Sequence, residues 1–132
     1  MTKIIIVDDH PAFRQGLHLM LKELSGTLEI TEMESGTQFI DELESIQTEV
    51  IFMDIRMPGI SGLEAASIAL KKRPELRIII LTMFGEEKYL KDAMDAGVKG
   101  FIIKPPTLLQ LKEAFKTVIN NNIYFPSKLK IS

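Results

Sequence analysis

Apolar residues along the chain follow two spacings. Ile4 to Val7, Val50 to Met53, Ile78 to Leu81 and Phe101 to Ile103 are continuously apolar and rich in β-branched or aromatic side chains, the pattern of strands buried on both faces. Between them, apolar residues recur every three or four positions: Phe13, Leu17, Met20 and Leu24, then Phe39, Leu43 and Ile46, and later Leu108, Leu111, Phe115 and Val118. Each set predicts a helix with one buried stripe. Leu28 to Glu32 alternates instead, which adds a half-exposed edge strand. Pro11 suits a first helical turn, Arg73-Pro74 ends the third helix, and Gly97 suits a left-handed cap after a fourth helix running from Glu86 to Met94. Five strands alternating with five helices predict a doubly wound α/β domain, its parallel sheet covered on both faces through right-handed crossovers.

With 132 residues the chain has room for one such domain and no more. Sixteen basic against eighteen acidic side chains leave a net charge of −2, without the positive field that non-specific nucleic-acid binding needs, so no direct nucleic-acid contact by this segment is expected. The absence of cysteine removes disulfides, thiolate metal sites and thiol nucleophiles together. Only Ile4 to Val7 precede the first acidic pair, too few apolar residues for a signal-peptide core or a membrane span, so a cytoplasmic location without membrane contact is expected.

The chemistry gathers where the strands end. In an open α/β sheet the ligand crevice lies beyond the carboxyl ends of the strands, and here those ends carry Asp8-Asp9, Asp54, Thr82 and Lys104. Crowded carboxylates repel, and a hard divalent cation such as Mg²⁺ resolves the conflict. A carboxylate can also attack phosphorus, with positive charge and a hydroxyl donor nearby to hold the transferring oxygens. Lys104 and Thr82 supply those contacts.

These segments resemble one family, the two-component response-regulator receiver domains. Ile4-Ile5-Ile6-Val7-Asp8-Asp9-His10-Pro11 is similar to the family's opening strand and acidic pair. Phe52 to Glu64 is similar to its phosphoacceptor segment, and Ile80-Leu81-Thr82 with Ala96 to Pro105 to its switch region. The resemblance spans Lys3 to Asn120 and implies strand order 2-1-3-4-5, the flavodoxin-like receiver fold. It implies that Asp54 is phosphorylated, that Asp8, Asp9 and Asp54 hold Mg²⁺ or Mn²⁺ with the Arg56 backbone carbonyl, and that Thr82, Lys104 and Phe101 carry the switch. Phe101 lacks a hydroxyl, so coupling through it would be steric. A cis Lys104-Pro105 bond is also implied. Arg56 and Phe84 would line the mouth of the pocket.

The implied partners are a sensor histidine kinase or phosphotransfer protein, or a small acyl phosphate as donor, with a homodimer forming on phosphorylation. The fourth helix, fifth strand and fifth helix would form the readout face. The opening Asp-Asp-His-Pro and the segment around Tyr124-Phe125-Pro126 are most similar to the NarL/LuxR-type branch, whose members usually carry a helix-turn-helix output domain. Residues 1–121 are therefore read as the receiver and 122–132 as a tail or the start of a linker. The expected reading is an excised receiver whose helix-turn-helix output domain is absent from this chain, with a stand-alone single-domain regulator acting by protein contacts as the alternative. No turnover enzyme is implied, only self-phosphorylation and slow loss of the phosphoryl group. An aspartate-nucleophile phosphatase would want two aspartates two residues apart on strand one. A flavin module would want neutral donors where Asp8-Asp9 stand.

Other residues receive structural readings. His10, directly before Pro11, is read as bordering or capping the first helix, and His18 as surface. Met57, Met83 and Met94 are read as core filler, and Lys71-Lys72-Arg73 as a solvated helix end. Gly59 and Gly62 are assigned to a tight loop. The fourth helix, anchored mainly by Tyr89, Leu90 and Met94, is expected to be of low stability.

Overall fold

A computed structural model describes residues 2–126. Five parallel strands form one sheet in the order β2-β1-β3-β4-β5: β1 (Lys3–Val7), β2 (Glu29–Met33), β3 (Val50–Met53), β4 (Ile78–Thr82) and β5 (Gly100–Ile103). Alternate residues of each strand face opposite ways. Ile4 and Ile6 therefore join a core that includes Leu17, Leu21, Leu111 and Val118, while Ile5 and Val7 join one that includes Phe39, Ala66 and Leu90. Helices α1 (Pro11–Leu24) and α5 (Leu108–Ile119) cover the first face; α2 (Gly36–Asp41), α3 (Gly62–Lys72) and α4 (Glu87–Ala96) cover the second. Each fully buried Ile or Leu contributes roughly 1.5–3 kcal/mol, and burial on both faces fixes the strand register.

Local signals explain the helix ends. Pro11 occupies the first turn of α1, Ser61 and Thr107 form reciprocal capping boxes with Glu64 and Gln110, and Gly97 closes α4 at φ 90°. The Lys104-Pro105 bond is cis.

Four expectations need correction. The stripe Phe39, Leu43 and Ile46 is buried, but it spans α2 and a separate 3₁₀ turn, Leu43–Ser45, not one helix. Arg73 Nη1 donates to the carbonyls of Leu43 and Ile46 at 2.8 and 2.6 Å, satisfying the backbone there from outside. Arg73 is thus a structural tie, whereas Lys71 and Lys72 are exposed as expected. Met57 is buried, but Met83 and Met94 are 65% and 45% exposed, because one follows the end of β4 and the other lies on the outer side of α4; Ala93 fills the anchoring place expected of Met94. His18 is only partly exposed, its ring 2.9 Å from Glu32.

The segment after α5 returns to the sheet: Tyr124 donates to Lys99 O at 2.8 Å and accepts from Phe101 N at 2.9 Å. Residues 127–132 of the expected tail lie outside the described residues. No helix among the described residues is long and apolar enough to cross a membrane.

Candidate functional site

Sheet register delivers the site residues together. Val7 pairs with Met53, so Asp8 and Asp54 leave adjacent strands side by side; Asp54 N donates to Val7 O at 3.0 Å, and Asp8 N to Met33 O at 3.1 Å. Thr82 pairs with Ile103, and Lys104 N donates to Thr82 O at 2.7 Å, placing the lysine at the next strand end. The loop after Asp54 is drawn in by Gly62 N donating to Ile55 O at 2.7 Å. A Cβ on Gly62 would sit 1.8 Å from the Asp54 carbonyl oxygen, so this close approach requires glycine.

Two carboxylates then share one ammonium. Lys104 Nζ lies 2.8 Å from Asp8 Oδ2 and 3.3 Å from Asp54 Oδ2, with all three side chains at most 8% exposed. Its other neighbour is the Phe13 ring, 4.0 Å away, whose face favours a cation. Burial pushes the Asp54 carboxyl above its ordinary value; the Lys104 charge pulls it down and the Asp8 charge pushes it up again. One lysine is insufficient for this much buried negative charge.

Asp9 adds a third carboxylate, whose buried Oδ1 accepts no hydrogen bond, although the His10 ring Nδ1 lies 3.2 Å from it. Ligand atoms of Asp8, Asp9, His10 and Asp54 all lie within 4.8 Å of one another. Excess carboxylate charge, hard oxygen donors and an orphaned buried oxygen together fit a divalent cation, so the acidic cluster could bind a metal. It faces an open cleft of about 380 Å³ whose lining includes Asp9, His10, Asp54, Arg56, Phe84 and Lys104.

The sequence-predicted residues thus fall into two groups. Asp8, Asp9, Asp54 and Lys104 meet directly. Thr82 is fully buried at the neighbouring strand end, its hydroxyl accepting from Phe84 N at 3.1 Å, and Phe101 lies in the core with Leu90 and Ala93 rather than at the cleft. His10 stands at the N-cap position but makes no side-chain cap. Its ring Nδ1 instead lies 3.0 Å from Asp8 and 3.2 Å from Asp9, because the imidazole is drawn toward concentrated negative charge. Sequence reasoning missed Arg14, which donates to Asp8 O at 2.6 Å and to Glu32 at 3.0 Å, and the packing of Phe13 on Lys104. Their place in the first turn of α1, immediately after the acidic pair, was the available signal.

Known proteins share this sequence pattern and this fold. A family model, the response regulator receiver domain, matches residues 4–116. The chain is 28% identical to the response regulator GacA of Pseudomonas syringae pv. syringae over 98% of its own length and 60% of the relative's. It is 35% identical to the oxygen regulatory protein NreC of Staphylococcus aureus, again over 98% and 60%. The chain therefore spans about 60% of the length of these relatives. Among solved structures, the isolated receiver domain of RcsB from Salmonella enterica serovar Typhimurium, in the presence of the phosphomimetic BeF₃⁻, superposes with a TM-score of 0.86 at 25% identity, covering 98% of this chain and 96% of that one. A LuxR-family two-component response regulator from Aurantimonas sp. gives 0.90 at 23% identity, covering 99% and 94%, a likeness of fold. Because the family match runs from the first strand through most of the fifth helix and takes in every strand end that feeds the cleft, this chain belongs to the response-regulator receiver domains.

Proposed function

We propose that this receiver is a phosphorylation-driven switch in which Asp54 is the phosphoacceptor. The observation that carries the reading is the position of Lys104 Nζ, 2.8 Å from Asp8 and 3.3 Å from Asp54: one cation bridging a nucleophile and the acid beside it. Asp54 Oδ2 would attack the phosphorus of a phosphohistidine on a sensor kinase or phosphotransfer protein, or of a small acyl phosphate. A phosphorus–oxygen bond forms as the donor's bond to phosphorus breaks, and the leaving group keeps that electron pair. Asp8, Asp9 and Asp54, with the Arg56 backbone carbonyl, would hold Mg²⁺ or Mn²⁺, which when bound neutralises charge on the phosphoryl oxygens. Lys104 would then turn from the carboxylates to the phosphoryl group, and the Thr82 hydroxyl would donate to it. Movement of Thr82 would release space for Phe101 and repack α4, β5 and α5.

The chain would act in the cytoplasm and would not turn over substrate. The RcsB neighbours include a complex with DNA and dimers bound to DNA. By analogy, residues 1–121 would form the receiver and the segment from 122 would lead toward a helix-turn-helix output domain, with the phosphorylated receiver pairing with a second copy. A stand-alone regulator working through protein contacts is the second reading. Acetyl phosphate with Mg²⁺ is expected to add one phosphoryl group, read by intact mass. Asp54→Asn should abolish that labelling, and removal of divalent cations should suppress it; equal labelling of the Asn variant would overturn the site.

A further inference from the structure

Beside the carboxylate cluster, three side chains from three elements close on one another at the mouth of the cleft. Arg56 lies two residues past Asp54, Phe84 two residues past Thr82, and Tyr89 in the first turn of α4. The Arg56 guanidinium sits 3.9 Å above the Phe84 ring, and its Nη2 donates to Tyr89 Oη at 3.1 Å. The Phe84 and Tyr89 rings complete the triangle at 6.3 Å, tilted by 60°. Arg56 and Phe84 both line the cleft that holds Asp54.

We infer that Tyr89 is a positioning residue which, through Arg56, clasps the first turn of α4 to the loop following Asp54 and holds the mouth of the cleft in its resting shape. The assignment rests on the phosphoacceptor reading of Asp54 and extends it to a residue outside the cleft.

The chemistry of each partner supports the clasp. A guanidinium can stack its plane on one ring while an edge N–H serves a hydroxyl, which an ammonium cannot do in the same geometry. Held this way at the cleft mouth, the Arg56 guanidinium is engaged with Phe84 and Tyr89, whereas an incoming phosphoryl dianion would attract it inward. At the other end, α4 begins at Glu86 without a side-chain cap. Within its first turn the Tyr89 and Leu90 amides donate to Glu86 O at 3.0 and 3.2 Å. The tyrosine hydroxyl is therefore a principal tie between a lightly held helix end and the loop beside the phosphoacceptor. Any rearrangement of α4 would release Arg56 toward the cleft, and any ligand that draws Arg56 inward would loosen α4, as linkage requires.

Tyr89→Phe separates the clasp from packing, because it keeps the ring and removes only the hydroxyl. In the unphosphorylated protein, hydrogen exchange at the Tyr89 and Leu90 amides should quicken by roughly three- to tenfold, the equilibrium factor a single exposed hydrogen bond carries. Labelling by acetyl phosphate should rise by a similar factor, and in an Arg56→Ala background the Tyr89→Phe change should have no further effect. Exchange and labelling within twofold of wild type, or a Tyr89→Phe effect that persists without Arg56, would overturn the clasp. Quickened exchange in a protein that takes no phosphoryl group on Asp54 would support the clasp and sink the phosphoacceptor reading instead.

Discussion

Helices α3 and α4 are neighbours on the same face of the sheet, and each follows a strand that ends at the cleft, yet they are held in different ways. α3 starts with a complete capping box between Ser61 and Glu64, buries Gly62, Ala65, Ala66 and Ala69, and ends where Arg73 turns back onto Leu43 and Ile46. Its alanines pack in the core with Ile51 and Met53 of β3, and Gly62 brings its first turn against the Asp54 carbonyl. α4 starts without a side-chain cap and buries only Leu90 and Ala93; Tyr89 adds exposed contacts to Arg56 and Phe84. A switch needs a fixed reference beside the reacting group and a lightly held element that can move against it. On the proposed reading of Asp54 as phosphoacceptor, the Asp54 side would supply the first and the Thr82 side the second.

The sharpest way to break this comparison is at Gly62. In Gly62→Ala the new Cβ would lie 1.8 Å from the Asp54 carbonyl oxygen and 2.8 Å from its carbon, and both are backbone atoms that cannot rotate away. The expected loss is about 3 kcal/mol or more, read by urea denaturation, with labelling of Asp54 falling in whatever fraction stays folded. Stability within 1 kcal/mol of wild type would show that α3 gives way easily and is no fixed reference.

Much of this contrast was legible in the sequence, but not the parts that depend on who accepts from whom. Continuous apolar runs revealed β1, β3, β4 and β5, and the residue after each run revealed the site, because a buried parallel strand must end where its polar residues begin. Thr82, itself the last residue of β4, shows the same boundary from inside the strand. The order of the strands came from resemblance, since periodicity does not say which strands are neighbours. The break between α2 and the 3₁₀ turn was not legible: apolar spacing registers that Phe39, Leu43 and Ile46 are buried, while the side chain that satisfies the broken backbone, Arg73, is distant in sequence. His10 borders α1 as expected, but the place of its ring was not legible, for a related reason. Its place before Pro11 signals a helix start correctly, but only the folded chain reveals three carboxylates close enough to claim the ring. Tyr89 was counted as an apolar anchor, and its hydroxyl found a partner in a loop that no helical pattern points to.

A gentler test removes one end of the α3 support. Ser61→Ala deletes the acceptor for Glu64 N, 3.1 Å from Ser61 Oγ, at a cost of about 1 kcal/mol. Because the cap is exposed and the buried face of α3 is untouched, the loss should appear in global stability while labelling of folded protein stays near wild type. A labelling defect out of proportion to this loss would place the Ser61 cap in the chemistry, contrary to the division drawn between the two helices.

The smallest effect runs in the opposite direction, by giving α4 what α3 already has. Glu86 has φ −63° and ψ 148°, the extended geometry a capping residue needs, but its long side chain makes no cap. In Glu86→Ser the hydroxyl can accept from the amide two residues on, Lys88 N, gaining about 0.5 kcal/mol after the lost interaction of the acid with the helix dipole is subtracted. Exchange of the first-turn amides of α4 should slow by about twofold, while those of α3 stay unchanged. If α4 is the lightly held element, slowing its opening should also slow labelling of Asp54 slightly, without altering how much label is finally reached with excess acetyl phosphate. Slower exchange with unchanged labelling would separate the mobility of α4 from phosphoryl transfer and confine the helix to reading out the modified state.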